Sequence, residues 1–228
     1  MCGRYARYFQ LQQLCDSLGI DVNEWKNIDL KAGYNISPAQ VQPVVLNKTG
    51  KFIVEPARWG IIPPWAEGSA QRLINARSET ADEKTVFRNA MRERRCIIPV
   101  SGFYEWKKMG NARQPWYFTL KDSPVMLLAG LWEDAPEREE KTFVILTTRA
   151  NDIVRPVHKR MPVILNGSNA KHWLRLSNDY EGNLLMPFPA EMMRGWPVSQ
   201  RVNNPADDDP NMVDPVEEPE FRDNSLLW

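Results

Sequence analysis

Cys2 offers the most specific chemistry in the chain, because removal of Met1 would leave a thiol and a free α-amine on one residue. The amine condenses with an aldehyde to an imine, and the thiol then closes on the imine carbon to give a five-membered thiazolidine. An α-amine has a pKa of about 7.7–8, so a neutral and nucleophilic fraction exists near pH 7. The alternative is that Met1 is retained and that Cys2 is an ordinary terminal residue.

Glu105 lies within the aromatic segment Phe103-Tyr104-Glu105-Trp106. On a strand, alternate residues share a face, so Phe103 and Glu105 point to the same side. A carboxyl among large aromatic rings loses hydration, which raises its pKa and suits it to donate and accept a proton. A solvated glutamate on an edge strand is the alternative.

His158 precedes a predicted strand and is followed by Lys159 and Arg160. These positive charges disfavour the imidazolium form unless an anion approaches, so His158 is a candidate for proton transfer. The alternative is an ordinary polar histidine. The second histidine of the chain, His172, lies on a predicted helix beside Trp173, and we expect it to be structural.

Asn75 and Arg77 stand two residues apart. An amide that donates and accepts, close to a guanidinium, suits the binding of a sugar and its phosphate, although the same residue types favour a helix-entry turn. Trp65 follows Pro63 and Pro64, which would stiffen a loop that carries an exposed indole. Such a ring can stack on a base, whereas a core tryptophan is the alternative.

Charge is unevenly distributed, although the 29 basic and 29 acidic residues balance. Residues 205–228 contain eight acidic residues and one basic residue, whereas residues 84–113 contain eight basic and two acidic residues. Such a local positive excess can attract phosphate even in a neutral molecule. A solvated helix face is the alternative, so charge alone does not establish a nucleic-acid partner.

The elements that must position these residues are mostly strands. Hydrophobic periodicity predicts helices over residues 9–18 and 83–94, a helix that opens at Ser168, and another over residues 189–194. Strand patterns occupy residues 41–46, 52–55, 57–61, 96–100, 102–107, 116–120, 125–132, 143–148 and 161–165. Since helices and strands do not alternate regularly, we predict an α+β fold. This fold is a single domain over residues 1–204, with a strand-rich, barrel-like mixed sheet core and short flanking helices.

Several classes of protein are excluded by simple features. No apolar run approaches the length of about 18 residues that a membrane-spanning helix needs, and the first residues lack the apolar segment of a secretory signal. The three cysteines (Cys2, Cys15 and Cys96) have no metal-type spacing, and their odd number argues against a disulfide framework. We therefore expect a cytoplasmic protein without a metal or cofactor. The acidic, proline-rich residues 205–228 are predicted to be a loosely held tail.

Seven ordered motifs over about residues 2–203 resemble those of the SRAP family, the SOS-response-associated peptidases. They are Met1-Cys2-Gly3-Arg4, Tyr34-Asn35-Ile36-Ser37-Pro38, Arg58-Trp59-Gly60, Asn75-Ala76-Arg77-Ser78-Glu79, Arg95-Cys96-Ile97-Ile98-Pro99, Gly102-Phe103-Tyr104-Glu105-Trp106 and His158-Lys159-Arg160-Met161-Pro162. The resemblance implies the SRAP fold and a DNA-repair protein that crosslinks to abasic sites in single-stranded DNA. As its location we expect the cytoplasm, with association to the nucleoid when DNA is bound, and we expect a monomer.

The resemblance also implies a role for each catalytic residue. The processed Cys2 forms a thiazolidine with the ring-opened abasic sugar, and Asn75 orients the cysteine and the sugar. Glu105 handles proton transfer at the amine and sugar, while His158 assists ring opening and reversal of the crosslink.

For DNA binding, the resemblance implies that Arg77, Arg160 and Arg4 contact phosphates. Pro38 and Trp65 correspond to a wedge and a stacking surface beside the lesion. If they fill the space that a complementary strand would need, a preference for single strands follows.

Three alternatives remain open at this stage. A thiol peptidase or autopeptidase would use Cys2 as nucleophile and His158 as base. An N-terminal-nucleophile amidotransferase also begins with Cys-Gly, but no further motif of that class is present. A non-catalytic DNA-binding module would retain DNA without any covalent bond to Cys2.

Overall fold

The computed structural model describes residues 2–25, 28, 30–63, 72–135, 140–175 and 182–217. These residues form thirteen strands and three α-helices. The strands are β1 (Tyr5–Arg7), β2 (Gly33–Ile36), β3 (Val41–Lys48), β4 (Lys51–Trp59), β5 (Asn75–Arg77), β6 (Arg95–Val100), β7 (Gly102–Met109), β8 (Ala112–Leu120), β9 (Met126–Ala135), β10 (Glu140–Arg149), β11 (Arg160–Pro162), β12 (Ile164–Leu165) and β13 (Met193–Pro197). The helices are α1 (Leu11–Leu18), α2 (Thr85–Glu93) and α3 (Gly167–Leu174).

Five strands close into a barrel, in the order β4, β3, β6, β9 and β10, with β10 returning to β4. The β10–β4 pairing is parallel and the other pairings are antiparallel, so the barrel is mixed, as predicted. Beyond residue 145, β10 leaves its barrel neighbours and pairs with β5 in parallel and with β11 in antiparallel orientation. This change of partners brings β5 and β11 to either side of one strand.

A second, antiparallel sheet has the order β13, β8, β7, β1 and β2. Gly110 and Asn111 form the predicted hairpin turn between β7 and β8, and Gly110 has a φ of 59°, which glycine adopts without strain. At the start of β7, Gly102 must remain a glycine, because a Cβ atom there would clash with the backbone of Phe118 and the ring of Tyr117. This close approach fixes the strand that carries Glu105.

The barrel wall is apolar on both faces. Along β9, Leu127 and Leu131 pack with α1, α2 and α3 on one side, whereas Met126 and Leu128 pack on the other side with residues of the second sheet. Strands that are buried on both faces need a continuous apolar run instead of an alternating one. That run is visible in the sequence from Val125 to Trp132.

The helices are short and serve to cover the barrel. Helix α1 begins two residues later than predicted and ends at Gly19, whose φ of 57° is the left-handed conformation typical of a helix C-terminus. Helices α2 and α3 lie within or close to the predicted positions. In the described ranges, no helix has both the length and the apolar character to cross a bilayer.

The helix predicted over residues 189–194 is wrong. A short 3-10 turn occupies Ala190–Met192, and β13 follows it and pairs with β8 over five residues. The free edge of β8 offers unpaired backbone groups, and their satisfaction outweighs the local helical pattern.

The prediction of a loosely held acidic tail does not hold for residues 205–217. The Asp208 carboxylate accepts hydrogen bonds from the backbone N–H groups of Tyr34 (2.5 Å) and Asn35 (3.0 Å). Met212 is 1% exposed, and the Trp196 indole donates to the carbonyl oxygen of Val213. Asp208, one of the acidic residues that suggested disorder, therefore caps backbone groups of β2. Residues 218–228 lie outside the described residues.

Candidate active site

Cys2 lies inside the fold, directly before β1. It is 0% exposed and packs in the apolar layer between the barrel and the second sheet, together with Tyr5 and Trp59. Burial raises the pKa of its thiol well above the ordinary value, and the negative charge of Glu105 raises it further. The thiol is therefore neutral at pH 7, and the carboxylate of Glu105 lies close enough to raise its pKa.

Asn75 anchors the backbone of Cys2. It lies on β5 opposite Ile145 of β10, and its Nδ2 donates a 2.8 Å hydrogen bond to the carbonyl oxygen of Cys2. The Oδ1 atom of the same amide is buried and has no hydrogen-bond partner in the described structure. One side of the amide therefore fixes the cysteine, and the other leaves an acceptor that a bound molecule can use.

Glu105 lies on β7, where the alternation of the strand places it on the same face as Phe103. It is 2% exposed, and burial raises the pKa of its carboxyl, with a smaller opposing effect from the positive charge of His158. The predicted desolvation of this group among aromatic residues is thus present in the fold. A carboxyl of this kind binds a proton closer to neutral pH than a solvated glutamate does.

His158 stands at the outer side of the site, with 31% of its side chain exposed. Its Nδ1 lies 3.7 Å from Oε1 of Glu105, 3.0 Å from the carbonyl oxygen of Arg160 and 3.1 Å from the Arg160 N–H. A protonated Nδ1 donates to that carbonyl, and an unprotonated Nδ1 accepts from that N–H. The backbone of Arg160 can therefore hold the ring in either protonation state.

The end of β10 organises the basic residues around this site. Thr147 of β10 is aligned with Arg77 on the neighbouring strand β5, and Arg149 lies opposite Arg160 on β11. Because aligned residues and alternate residues on a strand share a face, Arg77, Arg149 and Arg160 project from the same face of three adjacent strands. This is also the face of Asn75, so the arginines lie at the rim of the site.

Arg160 already holds an anion in this structure, the carboxylate of Glu79. Its two terminal nitrogens donate to the two carboxylate oxygens at 2.6 and 2.8 Å, and one of them also donates to the carbonyl oxygen of Thr147. The hydrogen bond from Arg160 lowers the pKa of Glu79. A fork of this kind matches a phosphate group as well as a carboxylate.

Arg4 is placed differently from the other predicted phosphate ligands. It is 9% exposed, and its guanidinium donates to Oδ1 of Asn35 and to the carbonyl oxygen of Val202. These bonds connect Arg4, which directly precedes β1, to β2 and to the backbone of Val202. Arg4 therefore has a structural function here. Its contact with phosphate stays a prediction.

Pro38 lies in the turn between β2 and β3. The turn runs from Ser37 to Gln40, and Ala39 has a φ of 70°, which costs a residue with a Cβ atom about 1–2 kcal/mol. The N–H of Ala39 is held by the carbonyl oxygen of Trp59 at 2.8 Å. The turn that carries the predicted wedge is therefore rigid, whereas Trp65 lies outside the described residues.

The basic run over residues 84–113 does not form one patch. Arg94 is paired with Glu133, and the buried Arg95 stacks over Trp173 with its guanidinium 4.6 Å from the ring centroid. Lys107 and Arg113 belong to the β7–β8 hairpin in the other sheet. Some of these basic side chains are therefore paired or stacked within the fold. The others are divided between helix α2 and the β7–β8 hairpin.

Sequence reasoning missed three residues that the fold adds to the site. Thr147 and Arg149 arrive through the pairing of β10 with β5 and β11, and neither lies in a motif. Glu79 lies within a quoted motif but received no role. The alternation Thr147-Thr148-Arg149 at the end of an apolar strand was the available signal, since it places two polar side chains on one face.

Comparisons with known proteins identify the family that the chain matches. Residues 1–205 match the family model described as SOS response associated peptidase (SRAP). The chain is 36% identical over 223 residues to the abasic site processing protein YoqW of Bacillus subtilis, and the match covers 94% of this chain and 99% of that relative. It is 27% identical over 224 residues to the abasic site processing protein YedK of Escherichia coli, with 95% and 100% covered.

A solved structure shows the same fold. The crystal structure of a protein from Bacteroides thetaiotaomicron superposes with a TM-score of 0.78 at 25% identity, and the match covers 95% of this chain and 100% of that one. The predicted fold class, with its strand-rich and barrel-like mixed core, is thus confirmed.

Proposed function

The chain belongs to the SOS response associated peptidase (SRAP) family, and from that premise we propose that it processes abasic sites in single-stranded DNA by crosslinking to them through Cys2. Its relatives are named abasic site processing proteins. The observation that carries the proposal is the hydrogen bond of 2.8 Å from Asn75 to the Cys2 carbonyl oxygen, in a site that also holds Glu105 and His158. This bond supports the proposal because it anchors the residue that becomes N-terminal once Met1 is removed, and the charge of Glu105 acts on the thiol of that residue.

The first bond forms between nitrogen and carbon. After removal of Met1, the α-amine of Cys2 attacks the aldehyde carbon of the ring-opened abasic sugar to give a carbinolamine. Loss of one water molecule then gives the imine. Glu105 can donate the proton that the departing hydroxyl needs, because its raised pKa keeps a proton available.

Ring closure forms the second bond. The thiol of Cys2 adds across the C=N bond, so that sulfur bonds to carbon and its proton ends on nitrogen. The pKa of the buried thiol is raised, so the proton must leave as the C–S bond forms, and Glu105 can accept it from sulfur and pass it to nitrogen. The balance is one aldehyde and one aminothiol in, one thiazolidine and one water out.

His158 is the group that can open the sugar ring. It is the more exposed member of its pair with Glu105 (31% against 3% of the side chain), so a nucleotide entering from solvent meets it first. An imidazole that can hold or release a proton suits proton transfer at the ring oxygen of the sugar. The same transfer in reverse would release the crosslink.

DNA binding is supported by the rim of the site. Arg77 and Arg160 share a face with Asn75, so phosphates bound there would place the sugar over Cys2. Such contacts fix position without reading sequence. The rigid turn of Pro38 is the described part of the surface that would exclude a second strand.

A peptidase function is supported less well. A cysteine peptidase needs a thiolate, and both burial and Glu105 raise the pKa of Cys2. We retain self-removal of Met1 as the one peptidase reaction compatible with the proposal. We also propose that the protein is located in the cytoplasm.

The test is incubation with a single-stranded oligonucleotide that bears one abasic site, followed by denaturing electrophoresis and intact-mass measurement. The proposal expects a band that survives SDS and a mass equal to protein plus DNA minus one water. Cys2→Ser should abolish the stable adduct, and so should an extra residue retained before Cys2. Cys15→Ala is the matched control, since Cys15 lies in the other apolar layer, and it should crosslink normally.

Two results would overturn the proposal. One is an adduct that persists unchanged in Cys2→Ser. The other is the absence of any adduct in a wild-type protein whose mass confirms that Met1 is gone. Turnover of peptides without DNA would favour the peptidase instead.

A further inference from the structure

Arg149 is an exposed arginine that has no role in the proposed chemistry. It is the last residue of β10, and in the described structure its guanidinium makes no hydrogen bond or ion pair. Its cross-strand partner is Arg160. Directly opposed residues of an antiparallel pair have Cβ atoms about 4.5–5.5 Å apart, and like charges there are destabilising.

The carboxylate of Glu79 neutralises the charge of Arg160 but not that of Arg149. Glu79 is hydrogen-bonded to both terminal nitrogens of Arg160, whereas no carboxylate among the described residues contacts Arg149. The two guanidinium groups lie on one face, and only that of Arg160 holds an anion. Arg149 can therefore bind a second anion. Arginine forks and phosphate oxygens match in geometry and charge.

Arg149 lines a surface groove. The groove has a volume of about 640 Å³ and is also lined by Lys159, Arg155 and the half-buried Phe188. Two acidic residues line it as well, Asp152, which is paired with Arg155, and the exposed Glu191. Arg149 and Lys159 are the cations of this lining without an ion pair among the described residues. Arg149 lies opposite Arg160 on the neighbouring strand, and Lys159 precedes Arg160 in the chain.

We propose that Arg149 is a third phosphate-binding arginine, which binds the backbone phosphate next to the one held by Arg160 and directs the strand into this groove. The inference rests on the proposed function and adds to it a direction for the strand. A phosphodiester chain fits better than a protein segment, because the free groups are cations beside one aromatic ring, which is the combination that binds single strands.

Arg149→Ala should weaken the binding of a single-stranded oligonucleotide that carries a tetrahydrofuran abasic analogue. This analogue cannot open to an aldehyde, so the measurement reports binding alone. The expected loss is about 5- to 10-fold at low salt, and the magnitude of the slope of log K against log salt should fall by about 0.7. Arg92→Ala is the matched control, since Arg92 is an exposed arginine on α2 in the helical layer.

A methylphosphonate series then locates the contact. Replacement of one phosphate at a time by a neutral methylphosphonate should reveal one position, beside the lesion, where the wild type loses affinity and Arg149→Ala does not. Such non-additivity shows that the residue and the phosphate interact. Arg149→Lys should bind more tightly than Arg149→Ala and less tightly than the wild type. Lysine keeps the positive charge but lacks the two parallel donors of the guanidinium.

The outcomes separate this inference from the proposed function. If the wild type crosslinks to abasic DNA and Arg149→Ala binds as tightly, or is as sensitive at every methylphosphonate position, the assignment of Arg149 is wrong and the crosslinking function stands. Equal losses in Arg149→Ala and Arg92→Ala would show an effect of net charge and would also overturn it. If the wild type does not crosslink at all, the proposed function itself fails.

Discussion

Nδ1 of His158 lies 3.7 Å from Oε1 of Glu105, and these two residues approach from different layers of the fold. Glu105 comes from β7 of the second sheet, and His158 from the turn that leads from β10 into β11. The carboxyl is buried and the imidazole is partly exposed. The pair therefore extends from the interior, where Cys2 lies, to the solvent-exposed side of the site.

Replacement of Glu105 by glutamine should slow crosslinking without loss of the fold. A positioned acid–base group contributes about 10²- to 10⁴-fold to a rate, so single-turnover crosslinking should fall by at least 10-fold. Binding of the tetrahydrofuran analogue should stay within about 2-fold of the wild type. An unchanged crosslinking rate would assign Glu105 a purely structural role.

The same variant tests the pKa shift of Glu105 through stability. Because the folded-state pKa is raised, the wild type binds more protons when folded, and its stability falls as pH rises from about 4.3, the unfolded value, through the folded value. Glu105→Gln lacks this loss. Urea unfolding between pH 4 and pH 8 should therefore show the variant gaining stability relative to the wild type as pH rises. A free energy of unfolding of the variant minus that of the wild type that falls as pH rises would contradict the shift.

Asn75→Ala should separate chemistry from binding. The variant loses the hydrogen bond to the Cys2 carbonyl oxygen, so the aminothiol is no longer held at a fixed position. We expect crosslinking to slow by about 10- to 100-fold, because misplacement of a reacting group by about 1 Å can cost that much. Affinity for the tetrahydrofuran analogue should change little, and an equal loss in both measurements would mean that Asn75 acts mainly in DNA binding.

Glu79→Gln should tighten DNA binding. Glu79 occupies the fork of Arg160, with 48% of its side chain exposed, so a phosphate must displace it. Exposed ion pairs are worth about 0.2–1 kcal/mol, and the expected gain in affinity is about 2- to 5-fold at low salt. Glu83→Gln removes the same charge from a nearby exposed position and should have a smaller effect. Weaker binding by Glu79→Gln would show that the carboxylate orients Arg160 instead of competing with phosphate.

Asp208→Ala should lower the free energy of unfolding by about 0.5–1.5 kcal/mol. Its carboxylate accepts from the N–H groups of Tyr34 and Asn35, and a hydrogen bond that water can partly replace contributes about that much net. Asp214→Ala is the control, since Asp214 is exposed and also lies in the 205–217 segment. Equal stability of the two variants would indicate that the hydrogen bonds of Asp208 do not stabilise the fold.

Much of the chemistry could be predicted from the sequence, because it depends on residue types at fixed separations. The aminothiol of Cys2 needs only its position in the chain, and the desolvation of Glu105 follows from its aromatic neighbours. The hairpin at Gly110 is equally local. Each of these predictions depends on interactions within a few residues.

The errors arose where distant segments compete for partners. The helix predicted over residues 189–194 is largely replaced by β13, because the edge of β8 accepts a strand there. The acidic residues near 208 pack against the second sheet because backbone N–H groups of β2 lie within reach of Asp208. Neither partner is visible in the local composition that the predictions used.

The rim of the site depends most on the tertiary structure. Arg77, Arg149 and Arg160 are separated by up to 83 positions in the sequence, and only the register of β5, β10 and β11 places them on one face. Which residues can react is thus decided by the covalent chain. Where a phosphate can lie is decided by strand pairing, because hydrogen-bond register sets the face on which each side chain emerges.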